Sequence, residues 1–284
     1  MKTVNSLSGG KTSSYIAANY PADYDVFALV RIEHEASKFA DKKIRQEVED
    51  RIQAPFIATA EDDMIIYTML DLEQYIGRKI TWVTGKTFDD SIRKWKNGDL
   101  FLPSYMRRYC TTDMKVEPIA KWINDKLDTT PKMRIGFRSN EHSRAKKMIE
   151  RQNQEGFIEV KIRVGKHKNG NNKWKKVNYC QPEFPLIKDG IFKDHIEQFW
   201  KDKPVRFAWM NNCVGCFHKE NILLKKMWNK HPSKLEWFAL KERESQNKAT
   251  WKENVTYDQI KNWNVQQELF EDDFNECDSG YCGI

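Results

Sequence analysis

The 284-residue chain predicts an α/β protein: an open parallel sheet with helices on both faces, plus a β-hairpin insertion and a helical C-terminal region. Three observations predict it. Short apolar runs alternate with charged segments of helical length through the first half of the chain. The first of these runs ends in a glycine pair, Gly9-Gly10, with a helical segment directly after it. Aromatic residues make up 12% of the chain and Trp alone numbers 10, enough bulk for a core beneath a heavily charged surface.

Taken in order, Lys2 to Leu7 reads as the first strand, Ser8-Gly9-Gly10 as a tight loop and Ser13 to Asn19 as the helix that follows. Val26-Phe27-Ala28-Leu29-Val30 is a continuous apolar run of the kind buried in parallel sheets, and Lys38 to Ile52 carries a charged helical pattern. Pro55 to Ala58, a helix from Met64 to Tyr75, Ile80 to Val83 and a helix from Phe88 to Lys96 continue the alternation. Lys132 to Phe137 supplies one more strand. Such sheets have right-handed crossovers and bind ligands outside the carboxyl ends of their strands. Beyond Gly156 the character changes: Phe157 to Val164 alternates, Lys168 to Asn172 turns and Lys173 to Tyr179 returns, the pattern of a basic hairpin. Helices are expected at Ile191 to Trp200, Glu220 to Asn229, Ser233 to Glu244 and Tyr257 to Trp263. The acidic segment beyond Glu271 is expected to be a mobile tail. These elements divide the chain into a sheet domain (1–155), the hairpin and its return to the core (156–190), a helical cysteine-containing region (191–270) and the tail (271–284).

The 48 Lys and Arg against 41 Asp and Glu give a formal charge of +7, a lean toward polyanionic partners such as nucleic acid or anionic nucleotides. A mixed-charge surface that serves solubility is the plainer reading of the same numbers. No run approaches the apolar length of a membrane span, and Met1 to Ser6 lacks the apolar core of a signal peptide. A cytoplasmic protein with no membrane partner is therefore expected. In that setting the six cysteines, Cys110, Cys180, Cys213, Cys216, Cys277 and Cys282, argue for metal binding or thiol chemistry over disulfides.

A glycine pair between a buried strand and a helix lets the backbone approach a phosphate, while amides at the helix start and the hydroxyls of Ser8, Thr12 and Ser13 donate to its oxygens. Lys11 adds charge. The sequence is neither a Walker loop nor the glycine-rich dinucleotide fingerprint. Ser8-Gly9-Gly10-Lys11-Thr12-Ser13 instead resembles the Ser-Gly-Gly-x-Asp-Ser loop of the adenine nucleotide alpha-hydrolase superfamily, whose members include phosphoadenylyl-sulfate reductases, ATP sulfurylase small subunits and ATP-pyrophosphatase thiolation enzymes. Thr12 stands where that loop carries an acidic residue. Arg107 to Val116 resembles the Arg-x-Cys-(Cys/Thr)-x-x-x-Lys segment of the reductase branch, and Ile135 to Arg144 resembles its Gly-(Ile/Phe)-Arg-x-x-Glu-x-x-Arg segment. The resemblance implies a Rossmann-like sheet of the HUP/PP-loop type and ATP or an adenylyl sulfonucleotide as ligand. Magnesium enters as a candidate cofactor, because the ATP-splitting relatives handle pyrophosphate with it. Lys115, Arg138 and Arg144 offer cationic donors to phosphate or sulfate, and Glu141 is suited to orient an arginine fork or to help hold a metal ion. Surface salt bridging is the bland alternative for these charges.

Cys213-Val214-Gly215-Cys216 is a CxxC turn that can aim two thiolates at one metal. In the reductase branch a cysteine at the position of Cys110 joins a later CxxC to hold a four-iron four-sulfur cluster, so the resemblance implies Cys110, Cys213 and Cys216 as ligands. Tyr109-Cys110 replaces the family's Cys-Cys pair, which leaves Cys180 or His218 to complete the set. By spacing alone, zinc is as reasonable as iron–sulfur, and ordinary reduced thiols are the alternative to both. The end of the chain, Glu276-Cys277 through Cys282-Gly283-Ile284, resembles the Glu-Cys-Gly-(Leu/Ile)-His nucleophile tail of sulfonucleotide reductases in two registers: Cys282 fits the nucleophile in one, and Cys277 in the other with Cys282 as a resolving thiol or metal ligand, while a non-catalytic tail is the plainer alternative to both. A thiol reductant would then be a partner.

Two functions compete at this point. One is an enzyme acting on ATP or a sulfonucleotide in sulfur transfer or reduction, with nucleic acid a fitting substrate given the Lys166 to Lys176 hairpin and Trp174. The other is a nucleotide-sensing or nucleic-acid-binding module in which the loop persists without catalysis.

Overall fold

Backbone hydrogen bonding gathers six of the strands into one sheet in the computed structural model, which describes residues 1–95 and 97–263. The described chain forms two compact units from interleaved segments: 1–29, 64–85 and 115–208 make the first, and 30–63, 86–114 and 209–263 make the second. The boundaries read from sequence are consecutive, whereas the chain leaves the first unit after its second and third strands and later returns. Parallel strands demand crossovers, and these two are long enough to carry a core of their own.

In the first unit, β1 (Thr3–Leu7), β2 (Tyr24–Leu29), β3 (Ile80–Thr84), β4 (Lys132–Arg134), β5 (Ile158–Lys166) and β6 (Asn172–Glu183) lie in the order β3-β2-β1-β4-β6-β5. Neighbours are parallel except β5 and β6, which form the hairpin. Gln181 to Glu183 of β6 pair with Lys132 to Arg134 of β4, so the hairpin closes one edge of the sheet. The apolar runs supply the inner strands. Val4, Val26, Phe27 and Met133 are fully buried, and Phe27 meets Trp82 edge-on at 5.0 Å. Helices cover both faces. The unit contributes α1 (Lys11–Asn19), α2 (Met64–Ile76), α3 (Glu117–Lys126), α4 (His142–Ile149) and α5 (Lys193–Trp200). α1 packs on β1 and against α2 and α5, while α3 packs over β2, β3, β5 and β6.

The second unit is built from short elements around aromatic side chains. Phe88 lies 5.2 to 5.8 Å from the rings of Trp237, Phe238 and Trp251, and these pack with Val30, Ile32, Leu224 and Tyr257. Two expected elements differ here. Pro55 to Ala58 does not extend the parallel sheet; Ala58–Thr59 pairs antiparallel with Arg31–Ile32, and Pro55 has no N–H to offer a ladder. The helix expected from Phe88 to Lys96 is a single turn, Phe88–Ser91, capped by Thr87, whose hydroxyl accepts from the Asp90 amide at 3.1 Å. Arg93–Lys94 then pairs with Leu100–Phe101, because Asn97-Gly98-Asp99 carries turn chemistry and Gly98 takes φ of +87°. The helix expected from Lys38 begins at Lys42, where Asp41 accepts the amides of Lys43 and Ile44 at 2.8 and 3.1 Å.

Among the described residues no helix is long and apolar enough to cross a membrane. The tail, with Cys277 and Cys282, lies outside the described residues.

Candidate functional site

Only Ser8, Gly9 and Gly10 separate the end of β1 from the start of α1. Gly9 takes φ of +79°, and a Cβ there would overlap Ile65 of α2, so conformation and space both require glycine. Gly10 is extended and leads into α1 without any side-chain cap on the first amides. Those amides, at the positive end of the helix, suit an anion. Ser13 is spent on the loop itself: its hydroxyl donates to the Gly10 carbonyl at 3.1 Å, accepts the Ser8 amide at 3.1 Å and lies 3.1 Å from the Ser8 hydroxyl. The hydroxyls of Ser8 and Ser13 thus shape the turn, a role that spacing could not separate from direct phosphate contact.

The strand order reverses between β1 and β4: the chain goes from β1 to β2 on one side, and β4 is flanked by β6 on the other. In open α/β sheets the crevice outside such a pair of carboxyl ends is where ligands bind. Two of the sequence segments meet here. A Cβ on Gly136 would sit 3.3 Å from Thr12 Cγ2, so the segment after β4 closes directly over the start of α1. Beyond it, Glu141 accepts the Arg138 amide at 2.8 Å and its Nε at 3.2 Å, and pairs with the Arg144 guanidinium as well. The Arg144 guanidinium also stacks 4.2 Å over Phe137, which in turn stacks on Phe184 at 5.5 Å. Arg138 is 9% exposed and braces the turn, whereas Arg144, at 28%, retains a face toward solvent. The arginine fork oriented by Glu141 is therefore present. Lys115 is half-buried just before α3, whose start lies at the same carboxyl edge of the sheet.

Lys11 has a partner that no motif announced. Its ammonium pairs with Glu197 of α5, and the Trp200 indole donates to the Lys11 carbonyl at 3.0 Å. A groove of about 520 Å³ opens beside this pair, lined by Lys11, Asp194, Glu197, Gln198, Trp200 and Phe207. Glu197 lies 186 residues from Lys11 on an ordinary amphipathic helix, so nothing local marks it.

The cysteines divide between the units. Cys110, Cys213 and Cys216 belong to the second, while Cys180 belongs to the sheet of the first. Cys180 is fully buried on β6 opposite Ile158, and burial pushes its thiol up to about 12. Cys110 is pushed up to about 11, by burial first and then by the nearby Cys216. The CxxC turn is held from several sides within its unit. Lys219, 1% exposed, donates to the carbonyls of Asn211 and Cys213 at 3.2 and 2.7 Å, and Tyr257 donates to the Gly215 carbonyl at 2.8 Å. A Cβ on Gly215 would overlap the Phe238 ring. His218 packs against Tyr105 and Phe217, and burial, helped by Arg108, brings its imidazole down to about 4. Among the described residues no three or more His, Cys, Asp or Glu side chains are set to hold a metal ion. Cys180 is a core side chain of the sheet.

Compared with known proteins, the chain matches no protein-family model, no curated protein and no solved structure.

Proposed function

We propose that the chain is a cytoplasmic adenine-nucleotide-binding enzyme of the PP-loop, phosphoadenylyl-sulfate reductase-like kind, acting on ATP or an adenylyl sulfonucleotide in sulfur transfer or reduction. The observation that carries this reading is the meeting of Thr12 with Gly136 at the point where the strand order reverses, which sets the uncapped start of α1 beside the arginine fork. The amides of α1 and the Lys11 ammonium hold the phosphates, and the solvent-facing side of Arg144 takes charge that develops in the transition state. Arg138 and Glu141 keep Arg144 in place. With a sulfonucleotide, the thiolate of Cys277 or Cys282 attacks sulfur: an S–S bond forms, the S–O bond breaks, and its electron pair leaves with the adenosine phosphate. A thiol reductant then attacks the protein sulfur, which forms a disulfide and releases sulfite. With ATP, a substrate oxygen attacks the α-phosphorus and pyrophosphate leaves, which activates that substrate for a sulfur nucleophile.

Titration calorimetry of the full chain with ATP and with adenosine 5′-phosphosulfate tests this. One of the two is expected to bind, and Lys11→Ala and Arg144→Ala are each expected to weaken it about tenfold, as loss of a charge-assisted contact does. Pyrophosphate release or sulfite release then names the chemistry. No heat with either nucleotide would overturn the reading.

A further inference from the structure

A charge equal to the whole formal excess of the protein sits on sixteen central residues of the β5–β6 hairpin. Residues 161–176 contain seven Lys and Arg and no Asp or Glu, and the chain as a whole carries +7, so the remainder is balanced. The structure separates these cations into two groups. At the root of the hairpin, Arg163 pairs with Glu117 of α3 and Lys176 pairs with Glu159 at 2.6 Å. Lys161, Lys166, Lys168, Lys173 and Lys175 have no carboxylate partner among the described residues, and all five are exposed. β6 joins β4 only through Gln181 to Glu183, so the segment from Asn172 to Asn178 pairs with β5 alone and extends beyond the sheet.

Trp174 is 45% exposed in the middle of this basic stretch. It pairs across the strands with Arg163, whose guanidinium lies 5.7 Å from the indole, and Lys176 pairs with Lys161 on the same face. Lysines are common on edge strands as protection against strand addition. Both strands have a free edge in this segment, so that explanation covers lysines on either one, but an exposed tryptophan among them works against it. Cations without a carboxylate partner, of which Lys175 alone donates to a side chain, the Asn124 amide oxygen at 3.5 Å, match a phosphodiester backbone when spaced along a two-stranded ribbon, and an indole with an arginine over one face offers the other to an unstacked base.

We infer that the β5–β6 hairpin docks single-stranded nucleic acid, with Lys161, Lys166, Lys168, Lys173 and Lys175 on the backbone and Trp174 stacked on a base. Docking is independent of the nucleotide loop, while any chemistry done on the docked strand rests on the function proposed above. Fluorescence anisotropy of the full chain with labelled single-stranded RNA and DNA of one sequence, over a range of salt concentrations, tests it. Five lysines predict a log–log salt slope of about −3.5, and the variant combining Lys166→Ala, Lys168→Ala and Lys173→Ala is expected to lose about 2 units of that slope. Trp174→Ala is expected to weaken binding about tenfold with the slope unchanged. Nucleotide calorimetry is expected to be the same in wild type and both variants, which keeps failure here distinct from failure of the nucleotide site. Tighter binding of either the RNA or the DNA names the strand and supports docking. Equal affinity and slope in the lysine variant would overturn the inference, as would duplex binding that ignores Trp174 or tighter binding to phosphatidylserine vesicles than to either oligonucleotide.

Discussion

Gly9 is where the loop turns, and the physical demand on it is double: a positive φ and a missing Cβ beside Ile65. Gly9→Ala is expected to cost about 2–4 kcal/mol in urea unfolding, from backbone strain and overlap together. In a double-mutant cycle with Ile65→Ala the losses are expected to fall short of additivity, since the smaller side chain removes the obstacle. Strict additivity would show that Ile65 is not what excludes a side chain. Lys11 presents the opposite case, a group whose availability is contested. Glu197 holds its ammonium with both side chains over a third exposed, so the pair is weak and a phosphate can displace it. Glu197→Gln is expected to tighten nucleotide binding about threefold at low ionic strength, with the gain shrinking as salt screens the pair. Weaker binding in that variant would mean that the carboxylate helps the ligand.

Two elements owe their placement to buried carboxylates. α3 presents Glu117, 2% exposed, to Arg163 of β5 and to Lys121 at 3.0 Å. Burial works to raise that carboxyl, yet the hydrogen bonds from Arg163 and Lys121 outweigh it and hold it below the ordinary range. Glu117→Ala strands a mostly buried guanidinium and is expected to cost about 3–5 kcal/mol, whereas Lys121→Ala, removing an exposed partner, costs about 0.5 kcal/mol. Thermal denaturation of the two variants separates these outcomes. In the second unit, the helix Pro232–Arg243 carries Glu242 in its last turn, where it accepts the Trp251 amide at 3.0 Å and the Tyr257 amide at 2.7 Å. Burial, with Asp258 adding to it, pushes this carboxyl from 4.5 up to about 7 despite those two donors. Between these values the folded chain keeps a proton that the unfolded chain has lost. Its contribution is therefore intact below pH 4.5 and falls by roughly 3 kcal/mol as the pH rises past 7. The urea midpoint is expected to drop over that window in wild type and to stay flatter in Glu242→Gln; parallel profiles would place the titrating group elsewhere.

At the scale of the whole molecule, charge and topology carry different information. Composition registers a surplus of seven cations, and only the fold shows which ones α3 and Glu159 neutralise and which stay open on the hairpin. The strands β1, β2 and β3 and most helices were legible because apolar runs and helical periodicity are local properties, set by backbone geometry and solvent exclusion. The turn at Ser8-Gly9-Gly10 was legible for the same reason, since glycine spacing reports backbone conformation directly. At Pro55 to Ala58 and Phe88 to Lys96 the apolar pattern points to a sheet strand and a full helix, and a proline or a turn signal nearby outweighs it. Strand order, the contact of Thr12 with Gly136 and the pairing of Lys11 with Glu197 had no local signature. Each joins residues far apart in the chain, and such contacts are selected by how whole elements pack. The sequence by itself determined the fold class, the helix-start loop and the basic hairpin. Only the tertiary structure decided which side chains meet at the end of β1 and β4, because that depends on the reversal of strand order, a property of the sheet and of no single segment.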